Sequence, residues 1–426
     1  MEAEYKFKYI YEDNTEMFVE AVKRDYFVEK ELRVEELVNG IVVPAPIRNK
    51  ADYPEGFASR RGGVTDKQGN YIDISERRLL RYKMDHVIKE DLYKVQYKDE
   101  TVCYLGPIAG YWGHILTEIS CCLWYALEYP NMKWVYFDYT DPKVTLIRRP
   151  LLEFLELVGI KESDLIPITE PTQFSKVIVP EVSAVFGEWY TKEYKNIYDF
   201  IRGRVEGNCT SHHKIYLTKT EFDDEKNNQI GEGAIKKVFA SNGWFCVAPE
   251  KISIKEQVVM MANAEEIVAP EGTLPHNILF CQDHVKVTII NRKADVNKYQ
   301  MLINQLRNAK VTYVDCWHML LPVYHGPYIF SINQNFINYA NDNNILIKIN
   351  DRQYIHEYLK IFWYILRYLQ LYDMEDERKV NSLKKVWNYD SLRGFITTRK
   401  EMESLNLEEA DKFNTAMQEF IRQIVD

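Results

Sequence analysis

The 426-residue chain contains no G-x-x-x-x-G-K-[ST] phosphate loop, no G-x-S-x-G elbow and no G-x-G-x-x-G fingerprint. ATPase, α/β-hydrolase and ordinary dinucleotide-dehydrogenase chemistry lose the residues that would carry them. H-E-x-x-H is absent too, and with it zinc-protease chemistry. No window approaches the ~18 uninterrupted apolar residues of a membrane-crossing helix. The N-terminal stretch MEAEYKFKYIYEDNTE is charged and lacks the apolar core of a secretory signal, which predicts a soluble, cytoplasmic protein. Cysteine is scarce: seven residues, an odd count without C-x-x-C spacing and partly inside apolar runs. That reads as reduced, buried thiols and not as a disulfide framework or zinc site. Positive charge is in deficit, with 54 Lys and Arg against 63 Asp and Glu and a net charge of −9. Sequence-independent nucleic-acid binding needs a positive surface and is excluded. A small anion is not, because a few cations in a cleft reverse the local field.

What is present is an ordinary globular composition, 46% apolar and 27% charged, with 30 Tyr, 19 Phe and 8 Trp. From about residue 100, short β-branched and aromatic runs alternate with amphipathic segments of helical length. Strands are predicted at 101–105, 134–138, 176–179, 214–218, 245–248, 266–269, 285–290 and 311–315. Helices are predicted at 111–128, 149–159, 190–205, 231–241, 253–264, 273–281 and 297–308. This alternation indicates parallel sheets built from right-handed βαβ units, an α/β fold. The polar stretch 204–213 reads as a boundary between residues 1–205, of which 1–95 are an irregular lead-in, and a second unit at 206–325. The stretch 60–70 reads as loop ending in a hairpin turn. Residues 326–426 read as mainly helical; Ile355, Leu359, Phe362, Leu366, Leu369 and Tyr372 form an amphipathic stripe, expected to cap the preceding sheets.

Three segments carry candidate chemistry. At 266–277 an apolar strand runs into Glu271–Gly272–Thr273–Leu274–Pro275–His276–Asn277. Thr273 suits an N-cap and Pro275 a first turn, so a helix N-terminus with free N–H groups is expected at a strand's carboxyl end, where a phosphate fits. Gly272 permits close backbone approach. Glu271 would repel a diphosphate and is better read as an acceptor for a ribose or sugar hydroxyl. At 214–220 a strand ends in Lys219, which faces the Gly272 turn if the two strands are parallel. At 110–118, His114 and Glu118 lie one helical turn apart, a general base with its orienting carboxylate. Asp138 and Asp141 have the wrong spacing for the D-x-D metal motif of sugar-nucleotide enzymes, and no metal or other cofactor is expected.

In order and spacing, these segments resemble the catalytic domain of glycosyltransferase family 61 over roughly residues 40–320. The pieces are Gly62–Gly63–Val64, then Gly113–His114–Ile115–Leu116–Thr117–Glu118, similar to the family's G-H-x-x-x-E helix start. Lys214–Ile215–Tyr216–Leu217–Thr218–Lys219 follows, where the family usually ends in arginine; then come 247–257 and the glycine turn through Asn277. The resemblance implies a GT-B-like architecture of two facing Rossmann-like domains. It implies a metal-independent, inverting transfer from a nucleotide-sugar donor to a glycan hydroxyl, in the manner of bacterial capsule or surface-polysaccharide enzymes. His114 and Glu118 would be catalytic; Lys219, Glu271, Gly272, Thr273, His276 and Asn277 would bind the donor and its phosphates, Glu271 through a hydroxyl; Pro249 and Ser253 would border nucleobase and ribose. Such an enzyme could associate peripherally with membrane polysaccharide machinery. The alternatives are a sugar-nucleotide epimerase of the same architecture and a non-catalytic sugar-nucleotide-binding subunit of an assembly complex.

Overall fold

The β-branched and aromatic runs become the strands of two sheets in the computed structural model, which describes residues 3–47, 58–80, 82–205, 212–221, 229–317 and 328–348. In chain order the elements that position the site are β1 Glu4–Tyr9, α1 Glu12–Val22, β2 Val34–Val38, β3 Ile41–Val43, β4 Gly63–Thr65, β5 Gln96–Ile108 and α2 Trp112–Thr117. They continue with β6 Lys133–Asp138, α3 Arg149–Leu157, β7 Leu165–Pro167, β8 Thr172–Pro180 and α4 Lys192–Gly203. The second series is β9 Lys214–Leu217, α5 Glu232–Ser241, β10 Phe245–Val247, α6 Ile254–Ala262, β11 Glu266–Pro270, β12 Lys286–Asn291, α7 Lys298–Leu306 and β13 Lys310–Asp315.

The first sheet has the order β7–β6–β5–β8–β3–β4. Strands β5 to β8 pair in parallel, while β2 and β3 pair antiparallel with β8. The second sheet, β1–β13–β12–β11–β9–β10, is parallel throughout. Each chain path leaves its first strand on one side and returns on the other, reversing between β5 and β8 and again between β9 and β11. Crevices that hold ligands open beyond the carboxyl ends of parallel strands at such reversals. The central strands are buried on both faces, as Ile215, Tyr216, Leu217, Ile267, Val268 and Ala269 show. Ser253 and Glu256 form the expected capping box at the start of α6.

Four features depart from the sequence expectations. The helix expected at 111–128 stops at Glu118 and resumes as a 3₁₀ turn, Ile119–Cys122, then Trp124–Glu128. The Leu116 carbonyl accepts the Ser120, Tyr194 and Tyr198 hydroxyls, so side chains take the place of the helical ladder. The helix expected at 273–281 is a seven-residue 3₁₀ helix, Leu274–Phe280. Strand β1, from the lead-in, is the edge strand of the second sheet, not of the first. The 60–70 loop is partly strand, Ala58–Arg61 and β4, joined through Gly62 and Gly63 at φ 131° and 138°.

Five of the six described cysteines are buried, Cys246 is half-buried, and all six are free. His212 stacks on Phe245 with ring centroids 3.7 Å apart, while His213 is exposed. Residues 206–211 of the boundary stretch, with Cys209, and the helices expected beyond 350 lie outside the described residues. No helix among the described residues is long and apolar enough to cross a membrane.

Candidate active site

Strand β5 delivers the first wall. Beyond Ile108 the chain turns through Gly110 and Tyr111 into α2, whose second turn carries His114. The His114 Nδ1 donates to Glu118 Oε2 at 2.9 Å, and the same oxygen accepts the Leu80 backbone N–H at 2.8 Å. Leu80 holds an uncommon positive φ of 59° in the turn that follows the strand Arg77–Leu79. The Glu118 side chain is only 5% exposed. Two donors on one buried carboxylate oxygen fix the imidazole as the Nδ1–H tautomer, leaving the Nε2 lone pair free.

Strands β9, β11 and β12 deliver the second wall from their carboxyl ends. Behind the end of β9, Glu232 is fully buried; it accepts the Thr218 hydroxyl at 2.5 Å and the Lys219 N–H at 3.1 Å. Burial lowers Lys219 to about 8, with Arg292 nearby pushing the same way; Glu232, Glu271 and Glu250 oppose them. At the end of β12, Arg292 donates Nε–H to Glu271 Oε2 at 2.6 Å. Its guanidinium lies over Gly272, where a Cβ would sit 3.0 Å from Nη2, at a φ of 126°. The glycine is therefore favoured by its backbone, and a side chain there would also press on the Arg292 guanidinium. Burial raises Glu232 above the usual carboxylate range.

The two walls meet. Trp112 Nε1–H donates to Asn277 Oδ1 at 2.9 Å, and a Cβ on Gly113 would lie 3.0 Å from the Thr273 methyl. Between them opens a cleft of about 780 Å³, bordered by His114 on one side and Lys219, Pro249, Thr273 and His276 on the other. The remaining expected site residues are differently placed. Ser253 is occupied as an N-cap by Glu256, and Asn277 spends both amide atoms inside the fold. Glu271 gives one oxygen to Arg292. Thr273 is helical, φ −78° and ψ −27°, and makes no side-chain cap. A seven-residue 3₁₀ helix does not offer the aligned dipole expected there, so charge at this wall falls to Lys219 and Arg292. Arg292 belongs to no motif; its sequence signal is a cation just past a strand of the same sheet, the logic that picks out Lys219. Gln257, buried at the same wall, donates to the Pro249 carbonyl and leaves Oε1 without a partner. The Asp138 carboxylate accepts from the Thr140 and Asp141 backbone, a turn-closing role.

His276 Nδ1 meets Gln300 Oε1 at 2.7 Å while Gln300 Nε2 donates to Asn304, so Nδ1 carries the proton. Burial lowers this imidazole to about 4, so it brings no charge to a phosphate at neutral pH. Between pH ~6.5, the ordinary value, and 4 the unfolded chain binds a proton that the folded one refuses. Stability is expected to fall by on the order of 3 kcal/mol as pH drops through that window. His276→Gln should flatten that part of a urea-unfolding profile measured between pH 7 and 4; an unchanged slope would contradict it.

A search among curated proteins finds no match to the chain. Residues 112–288 match the family described as Glycosyltransferase 61. That span starts at α2 with His114 and ends inside β12, four residues before Arg292, so it takes in both walls of the cleft. Over this span the chain is similar to glycosyltransferase family 61, enzymes that join a sugar donor to an acceptor.

Proposed function

We propose that the protein is an inverting, metal-independent glycosyltransferase of GT-B-like architecture, using a nucleotide-activated sugar and a glycan hydroxyl. The observation that carries the reading is the opposition of His114, backed by Glu118, to Lys219 across one cleft. The two reversal points, one in each sheet, lie at the ends of the strands that supply these walls, which supports two facing Rossmann-like halves.

In the reaction so read, the acceptor oxygen attacks the anomeric carbon as His114 Nε2 takes its proton. The bond from that carbon to the diphosphate oxygen breaks on the opposite side, and configuration inverts. Lys219 meets the negative charge of the leaving diphosphate, with Arg292 behind it. Pro249 and the unpartnered Gln257 Oε1 border the place for the nucleobase.

The test is incubation with a panel of nucleotide sugars, measuring free nucleoside diphosphate with and without oligosaccharide acceptors. Acceptor-dependent release is the expected result. Isomerised donor without acceptor would instead make the protein an epimerase, and tight binding without turnover a non-catalytic subunit.

A further inference from the structure

Arg148 is an exposed residue whose side chain packs against Gly110 and Tyr111, two residues that line the cleft on the His114 side. It is the N-cap of α3, where its carbonyl accepts the Leu151 and Leu152 N–H groups at 3.0 and 3.3 Å. Its side chain crosses Gly110: a Cβ there would lie 2.0 Å from the arginine Cδ and 2.5 Å from Nε. No other residue type at 110 leaves room for that path. The guanidinium then lies 5.9 Å from the centre of the Tyr111 ring, and the same ring stands edge-on to His114 at 6.1 Å. A single half-exposed tyrosine therefore separates the cation from the base, and Gly110 and Tyr111 both border the cleft.

Arg148 has no carboxylate or carbonyl partner among the described residues. Its neighbour Arg149 pairs with Glu153 at 2.5 Å. In a chain with 63 acidic residues, an arginine held in place by a glycine gap and an aromatic face, yet left without an acid, has its fork of donors available to a ligand.

We infer that Arg148 binds an anionic group, a carboxylate or a phosphate, on the acceptor glycan, so that the enzyme selects acidic acceptors. This rests on the glycosyl-transfer reading for the word acceptor. An anion held at Arg148 places a hydroxyl of the same or the adjoining sugar unit beside His114, with Tyr111 offering a ring face between them. The donor side of the cleft, with Lys219, lies on the opposite wall and is not involved.

The experiment compares three oligosaccharides alike except at the terminal unit: glucose, glucuronic acid and glucose 6-phosphate. Dissociation constants are measured by ligand-observed NMR for the wild type and Arg148→Gln at low and high salt. Uridine and guanosine diphosphates are titrated in parallel. The wild type should favour at least one acidic glycan over the neutral one by about tenfold, less so at high salt. Arg148→Gln should erase that preference and leave nucleotide affinity unchanged. Preference for the glucuronate alone identifies a carboxylate ligand, and for the phosphate alone a phosphate ligand. Equal binding of all three by the wild type, or a preference that survives in Arg148→Gln, overturns the inference while leaving glycosyl transfer standing. An Arg148-dependent preference without binding of either nucleotide upholds the anion site and removes support from the transfer reading.

Discussion

His114→Ala is expected to lower the acceptor-dependent rate by about 10²–10⁴-fold, the usual contribution of a positioned general base, while nucleoside-diphosphate affinity stays within twofold. The asymmetry follows from the walls. His114 stands on the α2 side of the cleft, and its loss removes no charge from the Lys219 side. The side chain is partly exposed, at 29%, so truncation opens no core cavity and the unfolding transition should not move appreciably. Glu118→Gln probes the same dyad differently. A glutamine oxygen can still accept both the Leu80 N–H and the His114 Nδ1–H, so the imidazole keeps its tautomer and orientation. What disappears is the negative charge facing the imidazolium that forms as the proton is taken. The expected result is a fall in kcat with little change in KM, smaller than for His114→Ala. Wild-type turnover in His114→Ala would remove the dyad from the chemistry.

The strands were legible because each is a short β-branched run between helical patterns. All eight strands expected from 101–105 to 311–315 coincide with strands of the structure, five lying wholly inside one and three (214–218, 245–248, 285–290) overrunning it by one residue. The pairing of β9 with β11, which brings Lys219 to the Gly272 turn, also follows from reading βαβ units in parallel. Several of the failures are long-range. The local pattern of 111–128 is helical, and besides the local Ser120 hydroxyl two tyrosines about 80 residues away, on α4, withdraw the Leu116 carbonyl from the ladder. Residues 1–95 read as an irregular lead-in to the first unit, whereas β1 from that stretch docks on β13, at the edge of the second sheet. Glu271 looks repulsive to phosphate in one dimension. In three, Arg292 from the next strand neutralises it, through a gap that Gly272 provides for a side chain of the protein itself.

That arrangement makes Arg292→Ala the most damaging single change on the donor wall. It removes one cation and also leaves the buried Glu271 carboxylate without its partner, facing the place where diphosphate would lie. Nucleoside-diphosphate affinity should fall about 10–100-fold from the lost charge-assisted bonds, with a further loss from the bared carboxylate. The double variant Arg292→Ala/Glu271→Gln should recover the second part and not the first. Lys219→Ala is expected to cost a similar first part only. Lys219 also gives the site a pH dependence of known sign. Burial and Arg292 lower its ammonium to about 8, so the free protein loses this charge as pH rises past that value. A bound diphosphate favours the charged form, so affinity should be level from pH 7 to about 8 and weaken above it, by at most tenfold per unit. The nucleotide's own second phosphate ionisation, near ~6, lies below this window. Lys219→Arg, charged at every accessible pH, should abolish the decline. Titration calorimetry from pH 7 to 9.5 decides the matter: a wild-type dissociation constant flat across that range removes Lys219 from the phosphate site, and unchanged affinity in Arg292→Ala removes Arg292.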